Sequence, residues 1–135
     1  MDFSKINYLA VFAAALSTFV LGGLWYSPLL FGKAWMRVNN FSETDVATFS
    51  KARMFGWSFI FALVMSLNLA MFLAAPGTNV VWGMAAGALA GVGWVAMAVA
   101  IIAVFENKSW GYIAINGGYM ILAFVGMGAI LGAWH

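Results

Sequence analysis

The chain has 135 residues, of which 65% are hydrophobic and only 7% are charged, with a net charge of +2. Soluble domains average roughly 25% charged residues, so this composition excludes an ordinary soluble domain and indicates a membrane protein. The six basic residues form no patch of the kind that binds nucleic acid, and the lack of cysteine excludes disulfides and thiolate metal sites.

The first apolar stretch, residues 6–26, is as long as a membrane-spanning helix must be. The alanines at 13–15 resemble a signal-peptide cleavage site, but the apolar run continues beyond them, so we expect the segment to remain as a span. Proline disfavours helical geometry in the residue before it, so Ser27 and Pro28 end this span.

Residues 27–54 are predicted to form an amphipathic segment on the cytoplasmic side. A helix over residues 29–38 would place Lys33 and Arg37 four apart on one face, with apolar side chains over the rest. This pattern fits either a helix lying in the headgroup interface or a lid packed on the membrane bundle. The two readings stay open at this point.

A second helix is predicted to begin near Glu43, after the break at Asn39 and Asn40. Ser42 and Asp45 form a pattern like a capping box, and acidic residues suit the first turn of a helix. Few residues downstream would stop such a helix, so it could run unbroken into the second span.

The second, third and fourth spans are predicted over residues 55–74, 80–105 and 109–134. The expected fold is therefore all-α, a single transmembrane domain over residues 1–135. Four helices form an up-and-down bundle, with an amphipathic cytoplasmic helix or helical hairpin between spans one and two.

Glycine recurs every four residues in the third span and again near the end of the fourth. This spacing lets another helix backbone approach closely in lipid. The glycines could pack helices within one chain or dock copies or another subunit, and their number favours some use between chains. The predicted packing residues are Gly83, Gly87, Gly91, Gly128 and Gly132.

A layer of polar side chains is predicted inside the membrane, with heights counted from the interfacial tryptophans at ~1.5 Å per residue. Such residues either join helices by hydrogen bonds or line a pocket for a small ligand. Trp94 needs an acceptor for its indole N–H at this depth. Asn68 or Tyr119 could supply it, or a lipid, pigment or small molecule could lie against the ring. The predicted layer comprises Ser17, Asn68, Trp94, Asn116 and Tyr119.

Five of the six basic residues fall on one side of a chain with four spans. The positive-inside rule then places loops 27–54 and 106–109 in the cytoplasm and both termini outside. The interfacial basic residues are Lys33, Arg37, Lys51, Arg53 and Lys108.

Three stretches carry a resemblance: WYSPLLFGKAW at 25–35, FENKSW at 105–110 and INGGY at 115–119. With them the chain resembles the domain-of-unknown-function family numbered seventeen-sixty-one, over nearly its whole length. The resemblance implies a small, mostly bacterial membrane protein with four spans, and hence the bacterial inner membrane. It implies no activity and no functional residues.

No carboxylate, histidine or basic side chain lies inside the predicted spans, which argues against proton-coupled transport and acid–base catalysis there. His135 is the sole histidine, so we expect no metal and no cofactor. The expected function is a non-catalytic membrane protein that associates with itself or joins a larger complex through its glycine-rich faces. The alternatives are an oligomeric small-molecule transporter or channel and, third, a membrane enzyme.

Overall fold

The computed structural model describes residues 3–135, and that part of the chain is helical without any strand. Four helices are long and apolar enough to cross a membrane. The all-α membrane fold with four spans is thereby confirmed. The first to fourth spans are Tyr8–Trp25, Lys51–Phe72, Val80–Phe105 and Trp110–Ala133.

Each span begins at a polar side chain that accepts hydrogen bonds from the first turn of the helix. Asn7, Ser50, Asn79 and Ser109 are these caps. The first four N–H groups of a helix have no partner within it, and the caps satisfy some of them where the chain enters the membrane. The residue just before each span therefore determines where its helix begins.

The loop between the first two spans contains two short helices, Gly32–Asn39 and Glu43–Ala47. The first begins three residues later than residue 29, its predicted start, because the Leu30 and Gly32 amides both donate to the Ser27 carbonyl in a turn. It ends where predicted, with Asn40 in the left-handed region at a φ of 57°.

The second loop helix does not continue into the second span, so that prediction is wrong. Ser42 and Asp45 do form the predicted capping box. The Thr48 hydroxyl then donates to the Asp45 carbonyl at 2.6 Å, and Ser50 caps a new helix. Because these two polar side chains bond to the backbone in succession, one helix stops and the next starts.

The helices pack in the order second, first, fourth, third. The first span contacts the second and the fourth, and the third span packs closely on the fourth. The second and third spans are joined by a short turn, yet an open cleft separates them. The bundle is therefore open along one side.

The buried core lies in the half of the bundle nearer the termini. Ala10 and Ala14 of the first span and Met127 of the fourth are completely buried there. The buried Ser66 hydroxyl joins the second span to the first by donating to the Val11 carbonyl at 2.8 Å. Small side chains thus bring these helices close together.

Candidate functional site

The predicted glycine stripes pack the third span on the fourth span of the same chain. A Cβ added at Gly83 would overlap the Gly128 carbonyl oxygen, and one added at Gly87 would overlap the Phe124 carbonyl oxygen. A Cβ at Gly91 would lie 3.0 Å from the Cα of Ile121. The two backbones therefore touch along most of this contact.

Gly132 completes the contact, because a Cβ there would overlap the Asn79 carbonyl oxygen at the start of the third span. All the predicted packing glycines are buried in the chain itself. Their positions agree with packing within one chain, which is one of the two uses that the sequence left open. Two small-residue faces on neighbouring helices can meet as soon as the short loop between them folds.

A cleft with a volume of about 790 Å³ lies between the second and third spans. Its walls are apolar and aromatic, and many of their side chains are exposed. The walls include Val64, Leu69 and Phe72 of the second span and Trp82, Leu89 and Val95 of the third.

Asn68 and Trp94 lie on opposite walls of this cleft. The Asn68 amide donates to the Val64 carbonyl of its own helix at 2.8 Å. Among the described residues nothing donates to its side-chain oxygen, and nothing accepts from the indole N–H of Trp94. The predicted bond between Trp94 and either Asn68 or Tyr119 does not form.

A π-helical turn over Gly91–Ala96 interrupts the third span and contains Trp94. The turn leaves Gly91 buried against the fourth span, whereas the Trp94 side chain is 71% exposed. Single π-turns inside α-helices occur frequently at functional sites. No periodicity of the side chains around residue 94 predicts this turn.

A second pocket of about 430 Å³ lies among the first, second and fourth spans on the loop side. Asn116 and Tyr119 of the predicted layer line it, together with Thr18 and Tyr26. The Tyr26 hydroxyl donates to the Asn116 side-chain oxygen at 2.7 Å, and the Tyr119 hydroxyl donates to the Thr18 carbonyl at 3.0 Å. These bonds join the first span to the fourth.

The predicted polar layer is therefore divided between two cavities. Asn68 and Trp94 belong to the cleft, and Asn116 and Tyr119 belong to the pocket. Ser17 lines neither cavity, and its hydroxyl donates to the Ala14 carbonyl of its own helix at 2.7 Å. Residue heights along helices carry no information about which side of the helix a residue faces, so the sequence could not show this division.

Thr18 is a residue of this pocket that sequence reasoning missed. Its side chain is only 3% exposed, and its hydroxyl has no hydrogen-bonding partner among the described residues. A threonine in a helix commonly bonds back to a carbonyl of the preceding turn. Only its height near Ser17 could have drawn attention to it.

An aromatic chain connects the pocket to the loop helices. The Tyr26 ring lies 5.3 Å from the ring of Tyr119 and 6.0 Å from that of Trp35, and Phe41 continues the chain at 5.3 Å from Trp35. Phe49 follows at 5.2 Å from Phe41. Of the two readings of the first loop helix, this contact agrees with the lid packed on the bundle.

Burial raises the pKa of the Tyr26 hydroxyl, just beyond the first span, well above its ordinary value, and the nearby Tyr119 and Tyr112 add to this effect. Tyr26 therefore stays neutral and keeps its proton for the bond to Asn116. Hydrogen bonds from the Ser42 backbone and side chain lower the pKa of Asp45.

The interfacial basic residues are all exposed, and Lys51 is the one that lines the pocket. The Lys108 ammonium lies 5.6 Å from the centre of the Tyr112 ring. Within residues 3–135 no three His, Cys, Asp or Glu side chains cluster to hold a metal ion. The basic set comprises Lys33, Arg37, Lys51, Arg53 and Lys108.

Comparison with protein families matches residues 9–132 to a family described as protein of unknown function, DUF1761. This match covers almost the whole chain. The chain belongs to this family. The four apolar helices make this DUF1761 member an integral membrane protein, and the resemblance noted in the sequence is confirmed. No curated protein and no solved structure matches the chain.

Proposed function

We propose that the protein is a non-catalytic integral membrane protein that self-associates, and that the cleft between the second and third spans is its contact surface. The observation behind the proposal is the open cleft, with exposed apolar walls and two unpaired polar groups. This proposal keeps self-association as the function but moves the contact away from the glycine stripes.

The polar groups favour a protein occupant over lipid. Acyl chains can cover apolar walls, but they offer no partner to the Trp94 N–H or to the Asn68 side-chain oxygen. An unpaired polar group in hydrocarbon is costly, and transmembrane helices commonly resolve it by hydrogen bonding across an interface. A second copy carries both the donor and the acceptor that the walls lack.

A symmetric contact also explains why assembly would stop at two copies. When the same surface of each chain faces the other across a two-fold axis, both copies of that surface are used and no further copy can add. The subunit of a larger membrane complex would have to offer an apolar helix with its own polar groups to the same cleft. A second copy of the chain already has such a helix, so self-association requires no other protein.

Crosslinking tests the contact, because the chain contains no cysteine of its own. Leu89 lies in the cleft and is 67% exposed, whereas Ile101 lies on the same span outside the cleft and is 61% exposed. A single cysteine at Leu89 should give a covalent dimer with a short thiol-specific crosslinker in native membranes, and one at Ile101 should not. Equal yields at both positions would refute the cleft as the contact.

We further propose that the protein resides in the bacterial inner membrane, with loops 27–54 and 106–109 in the cytoplasm and both termini outside. The support is the basic residues, five of which stand on the loop side. The residues near the two termini lie together on the opposite side. One small pocket there is lined by Lys5, by Leu73 and Ala74 of the turn, and by Trp134 and His135.

A further inference from the structure

Thr18, which lines the pocket on the loop side, has a buried hydroxyl without a hydrogen-bonding partner among the described residues. This pocket has a volume of about 430 Å³ and lies between the first, second and fourth spans. Buried polar atoms are normally hydrogen-bonded, so a partner from outside the chain would complete this one. Pockets for small organic ligands commonly measure ~300–1,000 Å³.

Three short polar side chains of the pocket stand at nearly the same depth. Thr18, Ser58 and Asn116 each lie six or seven residues from the loop-side end of their span, which is ~9–11 Å along the helix axis. Ser58 is exposed, and its hydroxyl has no partner among the described residues. One amide hydrogen of Asn116 is used by the Tyr112 carbonyl, and the other is free. Thr18 and Asn116 can therefore offer hydrogen bonds to an oxygen atom at this depth, which we call the deep end of the pocket.

The mouth of the pocket carries one charge, the ammonium of Lys51. No carboxylate is among the residues that line it. The Lys51 ammonium approaches the Val46 carbonyl at 3.4 Å, which leaves its other hydrogens available. An ammonium with no opposing carboxylate favours a ligand with a negative charge at this end.

Aromatic side chains form the walls between the two ends. Phe19, Phe55 and Trp35 line the pocket, together with the ring of Tyr26. Such walls suit a flat aromatic body, since ring pairs add to the energy of burial. We propose that the pocket binds an aromatic carboxylate that carries a second oxygen at its far end. The carboxylate binds Lys51, and the far oxygen bonds to Thr18. This site is separate from the self-association cleft.

Two commercially available acids that differ at the far end make the proposal testable. 4-Hydroxycinnamate carries the second oxygen, and cinnamate does not. Binding is measured by titration calorimetry on the protein in phosphatidylcholine nanodiscs, with protein-free nanodiscs as the blank. The parent protein should bind both acids above the blank and should prefer 4-hydroxycinnamate by about tenfold, the ratio expected for one buried hydrogen bond of ordinary strength.

Two variants separate the two ends of the pocket. Thr18→Val removes an unpaired hydroxyl at almost constant shape, so it should abolish the preference for 4-hydroxycinnamate and leave cinnamate binding unchanged. Lys51→Gln should weaken both acids by about tenfold or more, since a charge-assisted bond is lost. Lys33→Gln is the matched control, because it removes an exposed cation of the same loop that does not line the pocket.

The melting temperature of each empty variant shows whether the fold is intact. Parent binding no stronger than the blank would overturn the proposal. So would a Thr18→Val variant that melts like the parent and keeps the preference, or a Lys33→Gln variant as weak as Lys51→Gln.

Discussion

The glycines of the third span differ sharply in what surrounds them, although all of them lie in one apolar helix. A methyl group at Gly87 would meet the backbone of the fourth span, whereas one at Gly93 would meet nothing within 4 Å. Gly87 therefore permits the helix contact, and Gly93 does not take part in it. Glycine spacing in a sequence cannot distinguish these two positions.

Gly87→Ala should lower the free energy of unfolding by about 1–3 kcal/mol, because the added methyl forces two helix backbones apart. Gly93→Ala is the control and should be neutral or slightly stabilising, since alanine is the better helix former. Thermal unfolding of both variants in the same detergent gives the comparison. Equal stability of the two variants would show that the third and fourth spans do not pack as described.

The hydrogen bond between Tyr26 and Asn116 should contribute modestly to stability. Tyr26→Phe removes only the hydroxyl, and we expect a loss of about 0.6 kcal/mol and at most ~2, the range for such bonds between membrane helices. A double-mutant cycle with Asn116→Ala isolates the interaction, because the second change should cost less once the first is made. Additive losses would mean that the two side chains do not interact.

The ends of the helices could be read from the sequence where one side chain decides them. Ser42 with Asp45 predicts a cap, Asn40 predicts a stop, and both features are present in the structure. The start of the second span could not be predicted in this way. Ser50 is recognisable as its cap only once the preceding helix is known to end at the bond from the Thr48 hydroxyl to the Asp45 carbonyl. Local bonds predict a boundary well only when no neighbouring bond competes with them.

The helix at Glu43–Ala47 should weaken in acid because of Asp45. The folded pKa of this carboxyl is below its unfolded value, so its stabilising bonds to Ser42 are fully present above the unfolded pKa, near 3.8. They are lost as the pH falls through the lower, folded pKa. Hydrogen exchange of the Ser42 amide, which donates to the Asp45 carboxylate, should therefore speed up in that acid range relative to the amides of the membrane spans. Asp45→Asn should remove this pH dependence.

The arrangement of the four spans relative to one another could not be predicted. Span lengths and apolar composition predicted the membrane fold, because those properties act on each helix alone. The order second, first, fourth, third depends on which small faces meet, as at Ala14 and Gly87. Every span is apolar on all sides, so hydrophobic periodicity does not indicate which side faces a neighbour.

The orientation across the membrane can be tested with single cysteines placed on the two sides. Ala75 in the turn between the second and third spans and Ala47 in the first loop are both exposed. The reagent is an impermeant thiol label, added to cells whose outer membrane has been removed and whose inner membrane is intact. It should label a cysteine at position 75 and spare one at position 47. Labels on lysed cells confirm that both thiols react. The opposite pattern would reverse the proposed orientation.

The mass of the protein in lipid decides whether the open side of the bundle is closed by a second copy. One chain has a mass of 14.5 kDa, so native mass spectrometry from nanodiscs should give twice that protein mass for the parent. Asn68→Leu combined with Trp94→Phe should shift the protein towards the single chain, since both unpaired polar groups are removed. A parent of 14.5 kDa that carries only lipid would contradict self-association through the cleft.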